Sequence, residues 1–356
     1  MHILHVVGAR PNFMKAAPVL VSLAGKPGVR QTLLHTGQHY DAAMSDVFFQ
    51  QLGMPAPDLN LEVGSGSHAR QTAEIMTRFE TVALERKPDL VLVYGDVNST
   101  MAAALVCSKL GVRVGHVEAG LRSRDRTMPE EINRLVTDQL ADLLFTPSSD
   151  ADENLFREGV DASKIHRVGN VMIDTLVRLL PCAKAHRAGD VPNRYVLVTL
   201  HRPANVDDLP WLGELLLALS ALSQEITVVF PVHPRTRQRI ADLGLSALSN
   251  GHLRLMDPMP YLNFLALQQQ AQLVITDSGG IQEETTFLDV PCLTMRENTE
   301  RPVTVTLGTN QLVGRDIARM QSEARRVLAG ESKRAQPIPL WDGKAAERIA
   351  DVIARQ

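Results

Sequence analysis

Aromatic side chains make up only 4% of the 356 residues, too few for the stacking platforms that hold single-stranded nucleic acid. No charge of one sign dominates either. Lys and Arg number 37 against 40 Asp and Glu, for a net charge of −3 and a pI near 6.4, which removes the basic footprint of a nucleic-acid binder. The three cysteines, Cys107, Cys182 and Cys292, show no metal-binding or redox spacing. Cys107 and Cys292 sit in apolar segments, as core residues do, and this usage suits a reducing cytoplasm. No run of about 18 apolar residues is present, so no membrane span is expected. The opening Met1–His2–Ile3–Leu4–His5–Val6–Val7 lacks the basic segment and long apolar stretch of a signal peptide. His35 and His39 have a ligand-like spacing, but Gly37 interrupts them and no third ligand follows, so no metal site is expected. The turn after the first strand, Gly8–Ala9–Arg10–Pro11, is not the G-x-G-x-x-G of a dinucleotide fold.

A hydrophobic content of 44% in a chain this long supports a soluble protein with two domains of ordinary size. Short apolar runs alternate with helical patterns throughout. Strands are expected at His2–Val7, Gln31–Thr36, Leu90–Tyr94, Val112–Val117, Leu143–Thr146 and Ile165–Val168. After the polar stretch Lys184–Asn193, expected to link the domains, a second series follows at Tyr195–Leu200, Thr227–Pro231, Leu253–Met256, Leu273–Thr276 and Pro291–Met295. Gly64–Ser65–Gly66–Ser67 reads as a flexible loop. Buried strands of this kind with intervening helices predict an α/β protein with parallel sheets.

The stretch Leu273–Glu284 organises the second half. An apolar strand breaks at Asp277–Ser278–Gly279–Gly280 and a helix starts near Ile281. That arrangement aims free backbone N–H groups and a positive helix end at one spot, with glycines that let an anion approach. A diphosphate fits such a site. Ser278 either adds a hydroxyl to it or merely caps the helix, and Glu283–Glu284 are either functional or first-turn acids favoured by the dipole. In the first half Asp96 and Glu118 each follow the carboxyl end of a buried strand, where open α/β sheets bind ligands. Asp96 is open to a capping role, whereas Glu118, followed by Ala119 and Gly120, has no such easy structural excuse. Glu130 and Glu131 open a helix behind Pro129, and Arg122, Arg124 and Arg126 crowd the preceding loop. That mixture suits tuned carboxylates around an anion or a solvated salt-bridge network. Arg10, at the end of the first strand, is placed to clamp a phosphate.

Taken together, several strings resemble the non-hydrolysing UDP-N-acetylglucosamine 2-epimerases. They are Gly8–Ala9–Arg10–Pro11, Gly95–Asp96, His116–Val117–Glu118–Ala119–Gly120–Leu121–Arg122, Pro129–Glu130–Glu131–Ile132–Asn133–Arg134, Gly169–Asn170, Thr199–Leu200–His201–Arg202, Val232–His233–Pro234, Thr276–Asp277–Ser278–Gly279–Gly280–Ile281–Gln282–Glu283–Glu284 and Arg296–Glu297–Asn298–Thr299–Glu300–Arg301–Pro302. The resemblance covers nearly the whole chain in order. It implies a glycosyltransferase-B-like architecture, two Rossmann-like domains facing across a cleft. Residues 1–172 would form the domain with the catalytic acids and 173–335 the UDP-binding domain, with a last helix in 336–356 packing back on the first. It further implies a cytoplasmic homodimer that uses neither metal nor nicotinamide and binds a UDP-sugar. Asp96, Glu118, Glu130 and His201 match the family's catalytic positions. Arg10, Lys15, Ser278, Gly279, Gly280 and Glu284 match substrate-binding ones, Glu284 through the ribose. The implied reaction is inversion at C2 by anti-elimination of UDP to 2-acetamidoglucal and its re-addition.

Departures from the family pattern bear on regulation and on the sugar. Gln38, Arg70, Arg202 and His233 match, with Glu130, a second UDP-N-acetylglucosamine site that activates some relatives. Asp41, however, stands where a second glutamine is expected, Val97 replaces a threonine, and Ala204 replaces a glutamate or serine. A close subgroup acts on a diacetamido uronic acid version of the nucleotide sugar. Two further activities are compatible with the pattern: a hydrolysing 2-epimerase that releases N-acetylmannosamine, and a glycosyltransferase of the same architecture.

Overall fold

The computed structural model describes residues 1–37, 52–186, 191–249 and 252–356, and of Arg10 the backbone alone. These residues divide into two compact units, Met1–Arg178 with Pro339–Gln356, and Leu179–Ile338. The division falls between Arg178 and Leu179, inside the continuous helix Val171–Ala183. Of the polar stretch Lys184–Asn193, residues 187–190 lie outside the described residues.

The first unit is built on the strands β1 (His2–Val7), β2 (Arg30–His35), β3 (Leu59–Asn60), β4 (Leu90–Tyr94), β5 (Arg113–Val117), β6 (Leu143–Thr146) and β7 (Ile165–Arg167). They lie in the order β3-β2-β1-β4-β5-β6-β7 and every neighbouring pair is parallel. Leu90–Tyr94 is buried along its whole length, as expected of a central parallel strand covered on both faces. The chain winds outward in opposite directions from the β1/β4 pair. Loops leaving those two carboxyl ends therefore diverge, which opens the crevice where such sheets bind ligands.

The long helix His68–Arg86, not anticipated in the sequence, follows the Gly64–Ser67 loop. Ser67 caps it by accepting from the Arg70 backbone N–H at 3.3 Å, and Gln71, Ile75, Phe79 and Ala83 form a buried stripe four residues apart. The final helix, Ala345–Ala354, belongs to the first unit and packs on the helix Arg10–Ala24. Its buried N-terminal donors, which have no partner within the helix, are met by Asp174, which accepts from the Ala345 and Ala346 N–H groups at 3.0 and 2.7 Å.

The second unit holds β8 (Tyr195–Thr199), β9 (Thr227–Pro231), β10 (Leu253–Met256), β11 (Leu273–Thr276), β12 (Cys292–Thr294) and β13 (Asn310–Leu312). The order β10-β9-β8-β11-β12-β13 is again wholly parallel. Alternation along β8 sends Val196 and Val198 into one core, with the helix Leu209–Leu222, and Tyr195 and Leu197 into another. Helices therefore cover both faces, and the switch point lies at β8/β11. Cys107 and Cys292 are core residues; burial pushes their thiols up to about 12 and about 11. Among the described residues no helix is long and apolar enough to cross a membrane.

Candidate active site

In the first unit the candidate acids gather at the carboxyl ends of β4 and β5, beside the switch point. Asn12, buried in the first turn of helix Arg10–Ala24, fixes this edge. Its side-chain oxygen accepts from the Gly8 and Ala9 N–H groups at 3.0 and 3.1 Å, and its amide donates to the Tyr94 carbonyl at 2.7 Å. The loops after β1 and β4 are thereby tied together. Lys15, one turn further along the helix, is buried and forms an ion pair with Glu118. Gly95 lets the two meet: its φ is +61°, and a Cβ there would lie 2.5 Å from Lys15 Nζ.

Glu118 itself has φ = +75°, a left-handed conformation that costs a residue with a Cβ roughly 1–2 kcal/mol. Its backbone is held there because the Glu118 and Ala119 N–H groups both donate to the Phe145 carbonyl, at 3.1 and 3.0 Å. Strain of this kind concentrates at functional positions. Asp96 pairs with Arg134, and Asn133 donates to the Asp96 carbonyl at 2.9 Å. Arg134 in turn pairs with Glu131 at 2.7 Å, and the Glu131 carboxylate accepts from the Ser123 and Arg124 N–H groups at 2.9 and 2.8 Å. Burial pushes Glu131 up, but these backbone donors and Arg134 outweigh it and hold the group below the usual carboxylate range. Glu130 is exposed at the same helix start.

Sequence reading left the arginines of residues 122–126 between a ligand site and a solvated network. Arg122 is neither free nor solvated: it is buried, and it bridges Asp138 and Glu158, each at 2.6 Å. Asp138 also meets His116 Nδ1 at 2.6 Å, while His116 Nε2 lies 2.8 Å from the Gly95 carbonyl. Burial acts to raise Asp138, yet His116 and Arg122 keep it low. This buried chain braces Gly95 and the loop after β5 from below. None of it was assigned in the sequence, because Asp138 lies at the far end of the helix Pro129–Leu140 with no local signal.

In the second unit the Ser278–Gly280 turn leads into the helix Gly279–Phe287. The Ser278 hydroxyl does not turn back on this helix, so it does not act as the cap. A Cβ on Gly279 would fall 2.6 Å from Arg301 Nη1 and 2.6 Å from Glu300 Oε1, so the bare glycine leaves room for the guanidinium where it now lies at this helix end. Arg301 pairs with Glu300 and, at 2.7 Å, with Glu283. Arg296 meets Glu300 at 2.8 Å, and its Nη1 is buried without a hydrogen-bond partner. A positive helix end with arginine beside it is a setting for an anion. Sequence reading gave Arg301 no role. Glu284 is buried on the same helix, 2% exposed.

His201 follows β8 and meets Asp277, at the end of β11, through Nδ1–Oδ1 at 3.1 Å. Asp277 is fully buried and is the hub of this edge. It accepts from the His201 and Arg202 N–H groups at 3.2 and 3.0 Å and from the Asn205 amide at 3.0 Å. Burial alone would raise Asp277; the bond to His201 and these donors keep it low, hence charged. Sequence reading took Asp277 only as part of the turn Asp277–Gly280 and did not foresee its bond to His201. The β8/β11 pairing joins two residues far apart in the chain.

Of the other candidates, Arg202 donates from Nε to the Asp277 carbonyl at 3.0 Å. His233 is exposed and caps its own helix, Pro234–Asp242, through Nδ1, and Arg70 is exposed. The side chain of Arg10 and residues Gln38, His39 and Asp41 lie outside the described residues. Val97 stands at the N-cap of the helix Asn98–Leu110, which has no side-chain cap, as the loss of a threonine hydroxyl requires. Among the described residues no cluster of three His, Cys, Asp or Glu is placed to hold a metal.

Comparison with known proteins gives a consistent result. The family described as UDP-N-acetylglucosamine 2-epimerase matches residues 22–354. A UDP-N-acetylglucosamine 2-epimerase of Methanococcus maripaludis is 41% identical over 98% of this chain and 97% of its own. A UDP-2,3-diacetamido-2,3-dideoxy-D-glucuronate 2-epimerase of Pseudomonas aeruginosa is 42% identical over the full length of both. The crystal structure of the Methanocaldococcus jannaschii UDP-GlcNAc 2-epimerase, in complex with UDP-GlcNAc and UDP, superposes with a TM-score of 0.92 at 40% identity over all of both chains. With strained Glu118 at one sheet edge, the His201–Asp277 pair at the other and full-length matches of this kind, the chain belongs to the UDP-N-acetylglucosamine 2-epimerase family.

Proposed function

We propose that the protein interconverts UDP-N-acetylglucosamine and UDP-N-acetylmannosamine, with Asp96, Glu118 and Glu130 as proton-transferring or charge-stabilising acids and His201 beside the diphosphate. The observation that carries this reading is Glu118, held in a strained conformation against Lys15 and next to Gly95–Asp96. The C2 proton of the sugar is not adjacent to a carbonyl, so direct enolisation is closed. Elimination of UDP with that proton gives 2-acetamidoglucal and UDP, and re-addition with protonation from the other face gives the epimer. Carboxylates serve both the proton transfers and the positive charge that develops at C1.

The diphosphate that leaves and returns is assigned to Ser278, Gly279 and Gly280 with Arg301, on the strength of the helix end and the guanidinium beside it. Arg10 and Lys15 remain assigned to substrate through the family resemblance, and Glu284 to the ribose. Gln38, Arg70, Arg202 and His233 stay as the regulatory candidates. The homodimer and the cytoplasmic setting belong to the same reading, and sedimentation of the purified chain tests the first. The test of the activity is incubation with UDP-N-acetylglucosamine in deuterated water, followed by NMR. Deuterium at C2 of both epimers is expected. Release of free N-acetylmannosamine and UDP without the epimer would assign the chain to hydrolysis instead. The diacetamido-uronate relative favours one second reading, the same inversion on that sugar. Turnover of UDP-2,3-diacetamido-glucuronic acid with none of UDP-N-acetylglucosamine would select it.

His201 offers a further check. A charged Asp277 at Nδ1 fixes that nitrogen as the donor and leaves Nε2 outward on a side chain that is 58% exposed. Asp277→Asn keeps the shape and removes the charge. Turnover is expected to fall roughly 10- to 100-fold, less than the 100- to 10,000-fold of losing a general acid or base outright, with KM held. A raised KM at unchanged kcat would make Asp277 a substrate-binding scaffold only.

A further inference from the structure

The helix Gly279–Phe287 carries a buried carboxyl group with one oxygen engaged and the other not. Tyr261, the first residue of the helix Tyr261–Gln270, donates its hydroxyl to Glu284 Oε1 at 2.7 Å. Glu284 Oε2 is buried and has no hydrogen-bond partner. A buried acceptor is costly to leave unpaired, so its presence on the helix that opens at the Ser278–Gly280 turn points to a donor brought by the ligand. We infer that Tyr261 is a positioning residue whose hydroxyl holds one oxygen of Glu284 and leaves the other to accept from the vicinal hydroxyls of a ribonucleoside. The inference rests on the second unit binding UDP. It adds the residue that orients the ribose contact and a linkage of binding to pH.

The linkage follows from the surroundings. Burial raises Glu284 to about 7, with the Tyr261 and Gln268 side chains acting in the opposite sense. Burial and the neighbouring Glu284 push the Tyr261 hydroxyl well above its ordinary value, so it stays a donor. The other ionisable groups packed around this helix have partners of their own. Glu283 faces Arg301 at 2.7 Å, Arg296 faces Glu300 at 2.8 Å, and Asp277 faces His201 at 3.1 Å. Cys292 is buried and raised to about 11. Glu284 is thus the buried carboxyl group of this helix that changes charge near neutrality. Ribose hydroxyls donate to the carboxylate and favour its charged form, so binding expels a proton and affinity falls as the pH drops through about 7. Removing the phenol takes a donor from the charged form and moves that fall to higher pH.

The experiment titrates UDP and 2′,3′-dideoxy-UDP calorimetrically into the parent, Tyr261→Phe and Glu284→Gln, from about pH 6 to about pH 9. For Tyr261→Phe, UDP affinity is expected to fall roughly 10-fold near neutrality and to recover toward the alkaline end, while dideoxy-UDP is unaffected. Glu284→Gln should lose the pH dependence that UDP does not share with its dideoxy form, together with most of the preference for UDP over that form. Weakening of both ligands alike by Tyr261→Phe, or an unshifted pH profile, overturns the positioning role. If the parent binds UDP and dideoxy-UDP equally, this inference fails and the nucleotide site stands. If the parent does not bind UDP at all, the proposed function fails with it.

Discussion

Glu118→Gln should lower turnover roughly 100- to 10,000-fold, the loss typical of a general acid or base, while the protein remains folded and binds UDP as before. The amide has the same shape and can still accept one hydrogen bond from Lys15, so the buried ammonium loses its counter-charge but keeps an acceptor. Glu118→Ala is different. It keeps the left-handed strain at φ = +75° and takes from Lys15, 5% exposed, both the counter-charge and the acceptor that Glu118 supplies. Breaking a buried pair in that way costs about 3–5 kcal/mol. Comparing the two variants therefore separates chemistry from stability, with turnover read from the NMR assay and stability from urea unfolding. A Glu118→Gln variant with parental turnover would remove Glu118 from the reaction and leave it a structural partner of Lys15.

How far the sequence carried can be judged residue by residue. Strands such as Leu90–Tyr94 and Leu273–Thr276 were legible because parallel strands covered on both faces are unbroken apolar runs. The acids at their carboxyl ends were legible for the same reason, since an acid just past a buried run has few places to go. The helix His68–Arg86 was not. Its apolar stripe at Ile75, Phe79 and Ala83 was visible at a four-residue spacing, but it is diluted by charged residues and opens behind a Gly–Ser string that reads as loop. The strand β13, Asn310–Leu312, spans only three residues and carries too little pattern to find.

The pairings were the part that local pattern does not contain. His201 meets Asp277, and Tyr261 meets Glu284, because β8 lies beside β11 and because the helix before β11 packs near the one after it. Asp277 alone reads as a turn residue, and nothing local to Tyr261 marks its partner. The motif strings placed Asp277 and Glu284 in one stretch but could not say what each touches. The buried His116–Asp138–Arg122 chain is the same case in the first unit.

The adjacent acids Glu130 and Glu131 give the sharpest remaining prediction, because two residues that look alike in sequence should fail in opposite ways. Consecutive helical residues point about 100° apart. Here that phase buries Glu131, 2% exposed, and leaves Glu130 in solvent at the helix start. Glu131 holds Arg134 at 2.7 Å and both backbone donors of the Ser123–Arg124 loop, and Arg134 also holds Asp96. Glu131→Ala therefore takes one of two carboxylates from a buried guanidinium and strands two N–H groups at once. The expected cost is about 3–5 kcal/mol of stability, seen as an earlier urea midpoint, with activity lost through the displacement of Asp96. Glu130→Gln disturbs no buried group, so its unfolding curve should overlay the parent's. Its turnover should nevertheless fall roughly 100- to 10,000-fold if it carries a proton to or from the sugar. The two epimers present their C2 protons on opposite faces of the ring, which calls for more than one acid/base group. A group serving only part of the cycle would also let 2-acetamidoglucal accumulate alongside the slowed turnover. If Glu130→Gln turned over like the parent, the residue would be an acid favoured by the helix dipole and nothing more, and the second proton-transfer group would have to be sought at Asp96.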